Sequence, residues 1–147
     1  MRKVSEKVQL EAAEKLVSSL NKMDGVESSV DVRTNGTQNR PIVNASVSPE
    51  NWGKVAKQLK EKYLVDHCSM ITGIHWPESS DKKWEVIYHF LRTGIRDPVI
   101  EDGLVIPNIV DFSKVKGKDV PLEIQISIKI GDTRTPSVPS VQNLWVG

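Results

Sequence analysis

One cysteine, Cys68, stands in the 147 residues. A lone thiol excludes an intramolecular disulfide, which suits a reducing compartment, and excludes a conventional iron–sulfur cluster held by four thiolates of one chain. Charge of one sign is scarce too, with 20 Lys plus Arg against 19 Asp plus Glu. Without a basic field, nothing draws nucleic acid or an anionic membrane surface. There is no run of about 18 apolar residues for a membrane span, and no apolar stretch of signal-peptide length near Met1. The Asn-Ala-Ser triplet at Asn44 is a glycosylation pattern that, without a secretory signal, reads as chance. The expectation is a soluble, cytoplasmic protein that reaches a membrane only through partners.

What is present is enough for one domain spanning 1–147, because 38% hydrophobic residues in a chain of this length can bury a real core. Residues 4 to 22 read as a helix, with Val8, Ala12, Leu16 and Leu20 recurring every four positions and Ala13 and Val17 widening the stripe. VESSVDVR and PIVNASV then read as two strands around TNGTQN, where Asn35-Gly36 supplies the positive φ angles of a hairpin turn. Ser48 as cap, Pro49 at the first helical position and Glu50 in the first turn open a second helix over 49 to 63. Its buried side carries Trp52, Val55, Ala56, Leu59 and Tyr63.

Three further strands are expected. The first is 66 to 76, followed by a turn in PESSDK, and the second is 83 to 91. In the second, Trp84, Val86, Tyr88 and Phe90 share a face while Ile87 and Leu91 make the other partly apolar, the pattern of a central strand. The third, LEIQISIKI at 122 to 130, places Leu122, Ile124, Ile126, Ile128 and Ile130 inward and Glu123, Gln125, Ser127 and Lys129 outward. Residues 92 to 121, with Pro98, Pro107 and Pro121 among them, form a connection long enough to be either mobile or docked on something. The order describes an α+β fold: a mostly antiparallel sheet of about five strands with two helices packed on it.

No active site is legible. His67 and His75 are eight residues apart on one strand, roughly 26 Å at the usual rise, and a hairpin turning near Ser79 places His89 opposite Met70, away from both. Zinc ligands must converge at about 2.0–2.3 Å, so no metal site is expected. His67 adjoins Cys68 but points to the opposite face, and a structural cysteine is the better reading than a nucleophile. Glu101, Asp102 and Asp111 read as solvated loop carboxylates, and Gly117-Lys118-Asp119 lacks the spacing of a phosphate loop.

Residues 48 to 91 resemble the cluster-free peripheral-arm subunit family of the proton-translocating NADH:quinone oxidoreductase, respiratory complex I. They equally resemble the matching member of the membrane-bound energy-converting nickel–iron hydrogenases. The resemblance runs from about residue 5 to the last residue. It is carried by the lysine-rich helix, by Ile71-Thr72-Gly73-Ile74-His75-Trp76-Pro77, by Glu85-Val86-Ile87-Tyr88-His89, by the alternating strand 122 to 130, and by VPSVQNLWVG from Val138. Three features depart from the family: His75 stands where an acidic residue is common, the 92 to 121 connection is longer, and the helix that follows the tryptophan in the family has no counterpart here.

The resemblance implies a non-catalytic structural or assembly subunit of the peripheral arm, with no catalytic, metal or cofactor-binding residues of its own and no cofactor. Its partners would be the large catalytic subunit and the iron–sulfur small subunit, with no nucleic acid and only indirect contact with the inner face of the cell membrane. A stand-alone α+β module gripping a peptide or small ligand with the long loop is the alternative, and a small hydrolase using Cys68 or a loop carboxylate is a distant third. Pro136 and Pro139 hold 135 to 141 extended, and Pro139, Val141, Leu144 and Trp145 are expected to dock a partner rather than complete the fold. On that expectation, removal of 136 to 147 leaves the domain intact. The competing outcome is that the stretch folds back over the protein's own sheet, with Trp145 filling a gap.

Overall fold

The computed structural model describes residues 4–95, 99–106, 111–131 and 133–145, so the expectations for Pro98, Pro107 and Val146 lie outside the described residues. Helix α1 runs Glu6–Leu20, shorter at both ends than its apolar periodicity. Ser5 is extended and its Oγ accepts the Val8 amide at 3.2 Å, so the helix starts after it. At the other end the Asn21 side chain accepts from the Ser28 amide at 2.7 Å and donates to the Ser28 carbonyl at 3.2 Å, turning the chain into the first strand.

Strands β1 (Val26–Asn35) and β2 (Gln38–Val47) form an antiparallel hairpin closed by a two-residue loop, Gly36 and Thr37, with Gly36 at φ +65°. Gly25 precedes them at φ +74°, and any side chain there would strike Ser48 Oγ at 2.3 Å. Helix α2 spans Pro49–Glu61. Ser48 sits at its N-cap position, but its hydroxyl accepts from the Asn51 side chain at 2.7 Å instead of capping the backbone, which corrects the expected cap. The helix stops short of Tyr63 because Leu64 adopts a left-handed φ of +57°, and the Val65 amide then closes on the Leu59 carbonyl.

Strands β3 (His67–His75) and β4 (Trp84–Arg92) pair antiparallel, with Met70 opposite His89 as the turn position required. Strand β7 (Leu122–Ile130) follows the short strands β5 (Val99–Glu101) and β6 (Leu104–Ile106). The main sheet has the order β1-β2-β7-β4-β3, and its β2–β7 pair is parallel while the others are antiparallel. The fold is α+β, as expected. The middle strand, however, is β7 and not β4, which lies one place nearer the edge.

Both helices pack on one side of the sheet, α1 across β1 and β2 and α2 across β2 and β7. Ile124, Ile126 and Ile128 of β7 are buried beneath them with Val43, Ala45 and Val47 of β2. Each such aliphatic side chain taken out of water contributes roughly 1.5–3 kcal/mol. Trp52 is fully buried at the centre, tilted against Tyr88 at 4.8 Å and Phe90 at 6.1 Å between ring centroids. Its indole Nε1 is buried with no hydrogen-bond partner. The other side of the sheet carries no helix. There Glu123, Gln125 and Ser127 of β7 are half-buried and Lys129 is exposed, in the register expected from the alternation.

Candidate functional site

Neither helix packs on β3 or β4 as closely as on the strands at the other end of the sheet. The rings of Tyr88 and Phe90 on β4 would stand open, and residues 133 to 145 cover that end. They do so without helix or strand over 136 to 141, in the course that Pro136 and Pro139 impose. Val141 is buried in the core, and the Leu144 and Trp145 amides both turn back to its carbonyl, at 3.0 and 3.3 Å. Trp145 lays its ring 4.5 Å from Phe90 and donates its indole N–H to the Val65 carbonyl at 2.9 Å. Val138 and Leu144 are half-buried against the same core, and Pro139 is exposed over α2.

This corrects the expectation that the stretch leaves the fold. Its described residues complete the fold, because α1 and α2 are too few to roof five strands. What remains outward is Pro139, Ser140, Gln142 and Asn143, with the open sides of Leu144 and Trp145.

The motif stretches of the sequence meet beside this segment. A cavity of about 350 Å³ opens between His75, Trp84, Val86, Ile130, Pro136 and Val138. His75 stacks on Trp84 with centroids 4.1 Å apart and planes 11° from parallel, and the Trp84 indole donates to the Thr133 carbonyl at 3.4 Å. Next to it Glu85, on the helix-free side of the sheet, is only 8% exposed. Its carboxylate accepts from the Trp76 indole at 3.1 Å and from the Ser127 hydroxyl. A buried carboxylate is kept only when such donors meet it. One carboxylate thus ties the loop after β3, strand β4 and strand β7 together.

Arg92 is the second buried charge, at 4% exposed. Its guanidinium donates to the carbonyls of Val120 at 2.8 Å, Tyr63 at 3.2 Å and Gly117 at 3.3 Å. It clamps the turn before β7 to the end of α2. Sequence reading missed both Glu85 and Arg92. A signal existed for the arginine, which continues the Trp84, Val86, Tyr88, Phe90 stripe by one more inward position.

The histidines occupy separate places: His67 pairs with Leu91, His75 with Trp84, and His89 with Met70. Among the described residues no group of three or more His, Cys, Asp or Glu is placed to hold a metal ion. Cys68 is half-buried on the helix side, where burial pushes its thiol up and the Met70 amide only partly offsets this. Asp111 bonds the amide and hydroxyl of Ser113 at 3.0 and 2.6 Å, which lowers its carboxyl from the ordinary value. Glu101 and Asp102 lie at the tip of the β5–β6 hairpin, which the sequence reading took for part of a structureless connection. Asp102-Gly103 between two apolar triplets was the overlooked signal. No helix among the described residues is long and apolar enough to cross a membrane.

Comparison with known proteins adds a family to this geometry. No curated protein matches the chain significantly by sequence. Among solved structures, a trypsin-resistant fragment (1–134) of Nqo5 superposes with a TM-score of 0.51 at 13% identity, over 93% of this chain and 81% of that one. At that identity the likeness shows a shared fold. The family model for the respiratory-chain NADH dehydrogenase 30 kDa subunit matches residues 45–147, from inside β2 through both strands that flank the cavity to the terminal segment. The matched part is most of the chain, and the protein belongs to the family of the 30 kDa subunit of respiratory-chain NADH dehydrogenase.

Proposed function

We propose that this chain is a docking subunit of the peripheral arm of a complex I-like NADH:quinone oxidoreductase, or of the related membrane-bound hydrogenases. It holds the large catalytic subunit against the iron–sulfur small subunit, so that electron transfer and the ion translocation coupled to it run on the partner chains. No reacting group is assigned to this one. The observation that carries the reading is the convergence of the motif stretches on one surface, around the 350 Å³ cavity and the segment that ends in Trp145. Residues that formed only a core would have no reason to gather at the one end of the sheet that no helix roofs.

In this reading Val141 anchors the segment from inside, while Pro139 and the open sides of Leu144 and Trp145 meet the large subunit. Tryptophan and exposed apolar residues on a rigid support are the usual makings of an interface centre. The test is co-expression of the full chain with the large and small subunits. Pro139→Arg combined with Gln142→Arg should leave the melting temperature of the isolated chain unchanged and abolish co-purification of the large subunit. Normal assembly of that double variant overturns the assignment of this surface.

A further inference from the structure

The hairpin formed by β5 and β6 is apolar on both faces. Register pairs Ile100 with Val105 and Glu101 with Leu104, so Ile100 and Val105 share one face while Leu104 and Ile106 lie on the other. All four are exposed: Ile100 72%, Leu104 68%, Val105 65% and Ile106 43%. The turn is tight and specified, since Asp102 and Gly103 both take positive φ, +50° and +76°. A two-stranded hairpin is at best marginally stable alone in water. Four bare aliphatics on one short hairpin are therefore a surface awaiting a cover.

Two features of the hairpin restrict that cover. Apolar side chains on opposite faces need two walls, because a flat surface would leave one face in water. The tip carries two exposed carboxylates, Glu101 and Asp102. An acidic tip is repelled by anionic lipid headgroups, so a membrane is the wrong medium although the stem is apolar enough. Inside a protein cleft the same carboxylates would be stranded unless they met cations.

We infer that the hairpin Val99–Ile106 inserts into a cleft of a partner protein, with apolar walls gripping its two faces and Lys or Arg side chains at the closed end receiving Glu101 and Asp102. The inference rests on the reading of the chain as a docking subunit, and assigns it a second contact, distinct from the surface at Pro139.

The experiment uses the full chain co-expressed with the large catalytic and iron–sulfur small subunits. Ile100→Ser with Val105→Ser strips one face, Leu104→Ser with Ile106→Ser strips the other, and Glu101→Lys with Asp102→Lys reverses the tip. Each pair should weaken assembly by about tenfold or more, as loss of an interface anchor does, while the isolated chain melts as before. Loss with only one of the two faces means a flat contact and overturns the cleft. Wild-type assembly of all three variants also overturns it. If the arginine variant at Pro139 fails to assemble in that case, the docking reading stands without the hairpin. If that variant assembles normally and the hairpin variants do not, the terminal surface is the part that fails. Sedimentation of the isolated chain with phosphatidylglycerol vesicles, or as a dimer that the serine variants dissolve, would replace the cleft by lipid or by a second copy and overturn the inference.

Discussion

The two ends of the main sheet are roofed by different means. Over β1, β2 and β7 lie two helices whose buried residues recur at three and four, so Leu16, Leu20, Val55 and Leu59 announce their own burial. Over β4 lies a stretch with no period at all, fixed by two prolines, one buried valine and the indole of Trp145. The helical roof is built from local propensity plus burial. The irregular roof exists only because the sheet beneath it has already formed. Stability at the first end should thus be a property of the core, and at the second a property of a few separable contacts.

The largest effect expected is at the core. Ile126→Asp places an unpaired charge in the middle strand, at a fully buried site, and should leave no cooperative unfolding transition in chemical denaturation. Gln125→Asp, one residue away on the helix-free face, should unfold within about 0.5 kcal/mol of the parent. Similar losses for both would mean that the two faces of β7 are not distinct.

Next comes the irregular roof. Deleting 136 to 147 removes Val141 and Trp145 and bares Phe90, and should cost about 4 kcal/mol while leaving a folded domain with a lower melting temperature by calorimetry. An unchanged melting temperature would show that the segment does not belong to the fold. Arg92→Met should cost about 3 kcal/mol, because three carbonyls lose a charged donor while the aliphatic stem is kept. A loss below about 1 kcal/mol in denaturant titration would mean that water replaces the guanidinium and that the clamp is not needed. The smallest effect is at Cys68. Its raised thiol should alkylate more slowly than free cysteine at mildly alkaline pH, and at the ordinary rate once the chain is unfolded. Since the folded thiol holds its proton to higher pH than the unfolded one, native stability should decline as alkaline pH ionises the unfolded thiol, and equal alkylation rates in both states would remove that expectation.

The same contrast explains what could be read in advance. Helices and long strands were legible because burial on one side writes a period into the residues, as in Leu122 to Ile130. The parallel β2–β7 pair was not, because nothing local records which distant strand will lie alongside. Glu85 and Arg92 were opaque for a related reason: a charged side chain reads as solvent-facing until its donors or acceptors, here Trp76, Ser127, Tyr63, Gly117 and Val120, are brought to it by the fold. At the candidate site, Pro139, Val141, Leu144 and Trp145 stand out by composition. Their division into an inner anchor and an outer rim needed the sheet, because Phe90 decides where Trp145 goes.

The place of β7 has a consequence in time. The strand at the middle of the sheet is also the last one along the chain among the described residues. During synthesis the β1–β2 and β3–β4 hairpins are complete long before the strand that joins them emerges, and each waits with an inner edge unpaired. Such edges pair with whatever strand is offered. Closure then requires contacts between residues such as Ala45 and Ile126, far apart in sequence, which makes folding slow relative to translation of either half. The interval between release of β4 and arrival of β7 is when this protein is open to mispairing, and when a chaperone would find something to hold.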